Sequence, residues 1–204
     1  MLSRAMGLVA AGVLMLGSLA ACGSDDGDDA AAEPSTPETT TSPSPTVPPQ
    51  PDGPHGVTLK INNWDEYYDD PAVLTVKDFL EGFGGAYTAK KITPELKSST
   101  SKKVLRELTG PLKSIWRDER LPADTLELRI LSVKSNNGKA TVKACAHEIT
   151  FIQRYKDGSL TEDVDKDYWR KHTYKLRESD GEWKLSKNPD LKGSKCKATP
   201  GGQR

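Results

Sequence analysis

TLELRILSVKSNNGKATVKACAH, residues 125–147, decides the fold. Leu126, Leu128 and Ile130 alternate with Glu127 and Arg129, the period of two that sends neighbouring side chains to opposite faces of a strand. Asn136-Asn137-Gly138 follows, residues that tolerate the positive φ a tight hairpin demands. Beyond the turn Ala140, Val142, Ala144 and Ala146 alternate with Thr141, Lys143, Cys145 and His147, which predicts a second strand paired to the first. The run continues through Ile149, Phe151 and Ile152 with its phase slipped, which predicts a β-bulge in one long strand.

Working outward, Lys156-Asp157-Gly158 turns the chain, and a third strand is predicted over about 168–177. Ser179-Asp180-Gly181 makes another hairpin, with residues 183–186 as the last strand. Upstream the period changes to 3.6. Asp70-Pro71 is a helix start, Asp at the N-cap and Pro at the first helical position. Val73, Val76, Leu80, Phe83 and Tyr87 then form one apolar stripe reaching about residue 90. Gly82, Gly84 and Gly85 interrupt it, which predicts close packing or a kink. Gly-Phe-Gly-Gly is not a dinucleotide fingerprint, because no strand precedes it and the third glycine is misplaced. A second short helix starts at Thr93-Pro94-Glu95. A third starts near Ser101 with Val104, Leu105 and Leu108, is broken by Gly110-Pro111, and resumes through Leu112, Ile115 and Trp116. Three helices followed by an antiparallel meander of about four strands is an α+β order.

That order resembles the NTF2-like superfamily. The likeness is carried by the opening helix at 71–90, the Gly-Lys-Ala-Thr-Val-Lys-Ala-Cys run at 138–145 and Gly-Glu-Trp-Lys-Leu-Ser at 181–186, and it spans most of 70–190. The resemblance implies a cone, in which a curved antiparallel sheet wraps amino-terminal helices around a cavity. It also points to small actinobacterial lipoproteins of that class. The superfamily holds ketosteroid-isomerase-like enzymes and many non-enzymatic binding or dimerising modules, so function has to be argued from the site.

The remaining sequence gives an address. Residues 1–21 read as a signal peptide: Arg4 in a short basic start, then an apolar stretch too short for a confident membrane span. Leu19-Ala20-Ala21-Cys22, followed by Gly23-Ser24, resembles the lipobox of bacterial lipoproteins, which implies acylation of Cys22 and a mature chain beginning there. The partner implied is the lipid bilayer, and the location is the outer face of the bacterial cell membrane. With Cys22 taken by lipid, Cys145 and Cys196 remain as an even pair in an oxidising compartment, which predicts a disulfide. Residues 22–56 form an acidic stalk rich in Pro, Ser and Thr. It holds one Val and no Phe, Tyr or Trp, so it has little apolar surface to offset the entropy of ordering and is expected to be disordered. The folded domain is placed at 57–204. Of the 29 Lys and Arg, all but Arg4 lie in that domain; of the 29 Asp and Glu, seven lie in the stalk, which leaves 22 and a net charge of +6 on 57–204. Compartment argues against nucleic acid as a partner.

Chemistry concentrates on the third strand. Tyr168, Arg170, His172, Tyr174 and Leu176 share one face; if that face is concave, Arg170 and His172 stand in the cone mouth near Phe83, Tyr87 and Trp183. Those seven side chains other than Leu176 are the candidate pocket, suited to a polar ligand or to general acid–base chemistry. The competing arrangement leaves Tyr174 and Leu176 in the core and puts Arg170 and His172 on a wet rim. His147 shares a face with Cys145 and Lys143 and is expected to point outward. Asp163, Asp165 and Asp167 begin a calcium-loop pattern that fails where Gly and Glu should stand, at Tyr168 and Tyr174. The three histidines lack zinc spacing, and no P-loop or nucleophile elbow occurs, so no metal, cofactor or catalytic residue is assigned. Lys184, Lys187, Lys192, Lys195, Lys197 and Arg204 make the carboxy-terminal stretch basic, a solvated tail near an anionic surface. The sequence supports a tethered, non-catalytic head that binds a small apolar or amphipathic ligand or an envelope protein. The alternatives are an isomerase- or dehydratase-like enzyme using His172 with a Tyr, and a structural module that homodimerises through its open sheet face.

Overall fold

The computed structural model describes residues 46–163, 165–191 and 193–196. The expected leader, Cys22 and the expected stalk up to residue 45 lie outside the described residues.

Helix α1 (Pro71–Ala89) begins where the sequence places it. The Asp70 carboxylate accepts from the backbone N–H of Ala72 at 2.9 Å and Val73 at 3.1 Å, and Pro71 occupies a position whose N–H would be orphaned. It ends at Lys90, which takes a left-handed φ of 49°. Its glycines are an approach surface. A Cβ at Gly82 would meet the Leu96 backbone nitrogen at 2.5 Å, and one at Gly84 would meet Val57 Cγ1 at 2.8 Å. Helix α2 (Pro94–Ser99) packs there, and its cap Thr93 both accepts from Leu96 N–H and donates to the Gly82 carbonyl at 2.9 Å. Helix α3 (Lys102–Arg117) is continuous, a correction to the break expected at Gly110-Pro111. Both residues are exposed, so the carbonyl that Pro111 leaves unpaired faces water while Val104, Leu112 and Ile115 stay buried. Trp116 ties the helix to α1 by donating Nε1–H to the Ala86 carbonyl at 2.7 Å.

The sheet has five strands in the order β1-β2-β3-β4-β5: β1 (Thr58–Ile61), β2 (Thr125–Asn136), β3 (Lys139–His147), β4 (Trp169–Ser179) and β5 (Glu182–Leu185). The expected four-strand antiparallel sheet gains an edge strand, since β1 runs parallel to β2 with Leu59 beside Leu126. At the β2–β3 hairpin Asn137 and Gly138 take φ of 47° and 66°, the positive values the Asn-Gly pair was read to supply. The bulge lies in β2 between Ile130 and Ser132, not in β3. Beyond His147 the predicted long strand is replaced by a single helical turn, α4 (Glu148–Phe151). Thr150 explains the difference: its hydroxyl donates to the His147 carbonyl at 2.7 Å and accepts from Glu127 N–H at 3.0 Å, local bonds that favour a turn over a ladder.

The architecture is α+β: amino-terminal helices packed on a strongly curled, mostly antiparallel five-strand sheet. One core joins the layers, with Leu59, Val73, Val76, Leu96, Leu112, Leu128, Val142, Tyr174 and Leu185 all fully buried. Order starts earlier than the stalk composition suggests. The Gln50 side chain donates to the Leu59 carbonyl and accepts from Ile61 N–H at 2.9 Å, and the Pro48 carbonyl accepts from Trp64 Nε1–H at 2.9 Å. The last residues of the expected 22–56 stalk therefore dock on the free edge of β1 and satisfy it. The predicted disulfide is present: Cys145 and Cys196 are bonded, Cα atoms 6.1 Å apart, beneath the buried Trp169.

Candidate functional site

Phe79, Phe83 and Tyr87 stand at positions i, i+4 and i+8 of α1, so their rings form a row along one face. Phe79 and Phe83 stack with centroids 5.9 Å apart, and Tyr87 meets Phe83 edge-on at 5.3 Å. This row is one wall of a cavity of about 390 Å³. Leu108 and Ile115 of α3, Leu126 of β2, Phe151 and Ile152 at the end of α4, and Pro189 and Leu191 of the tail also line it. The volume lies in the range of small-molecule sites, and most of the lining is aliphatic or aromatic.

The polar side chains of the lining are Tyr87, Thr150, Gln153 and Asn188. Gln153 lines the cavity with its amide oriented by Arg120: a guanidinium only donates, so Oε1 faces Nη1 at 3.1 Å and Nε2 faces the Tyr87 hydroxyl at 3.3 Å. The Tyr87 oxygen therefore accepts from Gln153, and its own proton is left for another acceptor. Burial pushes the Tyr87 phenol up to about 12, so it stays protonated at any physiological pH.

Of the seven candidate pocket residues, the structure puts Phe83 and Tyr87 on the cavity wall. Tyr174 and His172 lie behind it. Tyr174 is fully buried with Phe79 against it, ring centroids 6.5 Å apart. His172 is 1% exposed, not on a wet rim; Nδ1 is 3.1 Å from the Tyr174 hydroxyl, and Phe151 packs edge-on against its ring at 5.2 Å. Burial, then the nearby Arg170 charge, pull the His172 pKa down to about 4 against the opposing pull of Asp190. Arg170 lies farther along β4, its Nε 3.0 Å from the Glu148 carboxylate and its guanidinium over the Tyr168 ring at 5.3 Å. Trp183 sits on β5, packed on the core, its carbonyl accepting from the Thr75 hydroxyl. His147 stacks flat on Trp169 at 4.8 Å and lies 3.6 Å from Glu127.

Sequence reasoning missed Phe79, Phe151, Gln153 and the tail residues Pro189 and Leu191. Phe79 was within reach, because it precedes Phe83 and Tyr87 of the apolar stripe at the same spacing of four, Phe-x₃-Phe-x₃-Tyr. The others were not: Phe151 and Gln153 follow the misread end of β3, and the tail reaches the cavity through backbone pairing of Asp190 with Thr173.

No protein-family model and no curated protein matches the chain. A solved structure, the solution structure of a SEC-C motif containing protein from Rhodopseudomonas palustris, is similar over 61% of this chain and 91% of its own, at 18% identity and a TM-score of 0.34. At that level the likeness carries no argument.

Proposed function

We propose that the chain is an exported lipoprotein, anchored through acylated Cys22 to the outer face of the cell membrane, whose head holds a small, neutral, largely apolar ligand. The observation that carries the ligand reading is the cavity itself, about 390 Å³ walled by Phe79, Phe83 and Tyr87 and by aliphatic residues of α3, β2 and the tail. A space of that size left without a ligand forfeits dispersion contacts along its whole lining, which an apolar guest restores. The export reading is supported by the Leu-Ala-Ala-Cys stretch ending at Cys22 and by the disulfide, which accounts for the other two cysteines. The curved sheet over helices suits membership of the NTF2-like superfamily, which is part of the proposal.

Binding is favoured over catalysis by the position of the imidazole. His172 and Tyr174 are the natural acid–base pair, yet Phe151 packs on the first and Phe79 on the second, and both phenylalanines are cavity wall. The test is a thermal-shift screen of neutral apolar compounds against the full chain. A ligand at a hundred times its Kd should stabilise the fold by about 2.7 kcal/mol, a shift of several degrees in Tm. A broad screen without any stabilisation would remove the ligand reading. Metabolic labelling with an alkyne fatty acid tests the anchor separately: label is expected on the wild type and not on Cys22→Ala, and label on both would remove the assignment to Cys22.

A further inference from the structure

Tyr174 is fully buried, and burial raises its phenol pKa far above the ordinary value, so the hydroxyl keeps its proton. That proton needs an acceptor, and the partner of the hydroxyl among the described residues is His172 Nδ1 at 3.1 Å. An imidazole nitrogen that accepts is bare, so the neutral ring carries its hydrogen on Nε2. The reverse assignment, with Nδ1–H donating to the phenol oxygen, strands the phenolic hydrogen as well as Nε2. Fewer groups go unpaired in the first arrangement. Nε2–H is then a donor on a side chain 1% exposed, without a hydrogen-bond partner among the described residues. Buried donors are normally paired, and one left bare forfeits free energy that an acceptor would recover.

Phe151 links the His172 imidazole to the cavity. Its ring lies against the imidazole, planes at 82°, and belongs to the cavity wall as well. An aromatic ring offers an N–H at most a weak pairing. Phe151 ends the one-turn helix α4 and is only half-buried, so a rotamer change can move it without disturbing the sheet. The cross-strand neighbour of His172 is Ala144, too small to crowd the ring.

The geometry points to a polar extension of the cavity, in which a ligand oxygen displaces the Phe151 ring and accepts a hydrogen bond from His172 Nε2. This rests on the ligand reading above and narrows the ligand to a neutral, mostly apolar molecule with a carbonyl or ether oxygen. Tyr87 agrees with it, since its spare hydroxyl proton also seeks an acceptor.

Benzophenone and diphenylmethane test the assignment, being alike in shape and differing in the carbonyl oxygen. Titration calorimetry on the full chain should show both binding, with benzophenone about tenfold tighter from one added hydrogen bond. His172→Phe should bring the two affinities together. Equal affinities for the wild type, or a tenfold preference that survives His172→Phe, would overturn the extension while leaving the apolar cavity standing. Binding of neither compound would overturn both. Should His172→Phe fail to fold, ¹⁵N NMR of the wild-type imidazole decides. The proton is expected on Nε2, with a downfield shift of that proton on adding benzophenone and not on adding diphenylmethane; a proton on Nδ1 or an unmoved signal would overturn the extension.

Discussion

The carboxylate of Glu81, in the middle of α1, accepts a 2.8 Å hydrogen bond from the backbone N–H of Leu59 on β1. Glu81 is 1% exposed, and its other oxygen is 2.7 Å from the ammonium of Lys77, one helical turn earlier and also buried. The acid thus does what a sixth strand would do, filling a ladder position on the sheet edge, while Lys77 neutralises it. Burial raises the Glu81 pKa, opposed first by the Lys77 contact and then by the Leu59 N–H.

Glu81→Gln removes that charge and leaves the Lys77 ammonium buried alone. A loss of about 3–5 kcal/mol in urea unfolding is expected, and Lys77→Met combined with Glu81→Gln should lose less than Glu81→Gln alone.

The glycines of α1 and α3 should respond in opposite directions. Gly82→Ala sets a methyl 2.5 Å from a backbone nitrogen of α2, and neither helix can yield cheaply, so a loss of about 1–3 kcal/mol is expected. Gly110→Ala meets nothing within 4 Å and should gain about 0.5–1 kcal/mol from helix propensity. Thermal melts of the two variants check the sign.

Acid should weaken the fold through His172. Below pH 6.5 the unfolded chain takes up a proton that the folded imidazole refuses until about pH 4. The stability this residue contributes is therefore complete above pH 6.5 and lost as pH falls from 6.5 to about 4, on the order of 3 kcal/mol. Asp78, Glu81 and Glu148, whose pKa values are raised by burial, act in the opposite sense, their protonation easing the fold as pH falls. Urea midpoints at pH 7.5 and 4.5 should differ for the wild type, and the difference should shrink in His172→Phe.

The disulfide closes a segment of 51 residues that includes β4, β5 and the tail against the cavity. Constraining a loop of that length is worth about 2–4 kcal/mol, so reduction or Cys145→Ala with Cys196→Ala should lower stability by that amount. Thiol titration of the unreduced head should find neither cysteine free.

The fold was legible wherever a local rule decided it. Asp70-Pro71 announced α1, Asn137-Gly138 announced the hairpin, and the period-two run announced β2 and β3. The errors share a cause, tertiary partners overriding local patterns. Pro111 is tolerated because Glu107, whose carbonyl it leaves without an intrahelical partner, is exposed. Residues 148–151 turn because Thr150 finds backbone partners, and β1 escaped notice because a four-residue edge strand held by Gln50 and Glu81 has little signal of its own. For the candidate site, two of seven side chains were placed on the cavity wall. The sequence left open whether the face of β4 bearing His172 and Tyr174 turns inward or forms a wet rim; both side chains are buried, and the rings of Phe79 and Phe151, which cover them, come from elements whose placement only the packing determines.

Whether the cavity takes an apolar guest is tested most directly by methyl NMR of the full chain titrated with diphenylmethane. Leu80, Ile115 and Leu126, which line the space, are predicted to shift in a saturable manner, while Leu59 and Val142 in the sealed core stay unmoved. Leu126→Trp, which puts a larger side chain in the lining, should abolish the response in a chain that still melts cooperatively. Unshifted lining methyls at saturating probe, or an undiminished response in Leu126→Trp, would contradict the account.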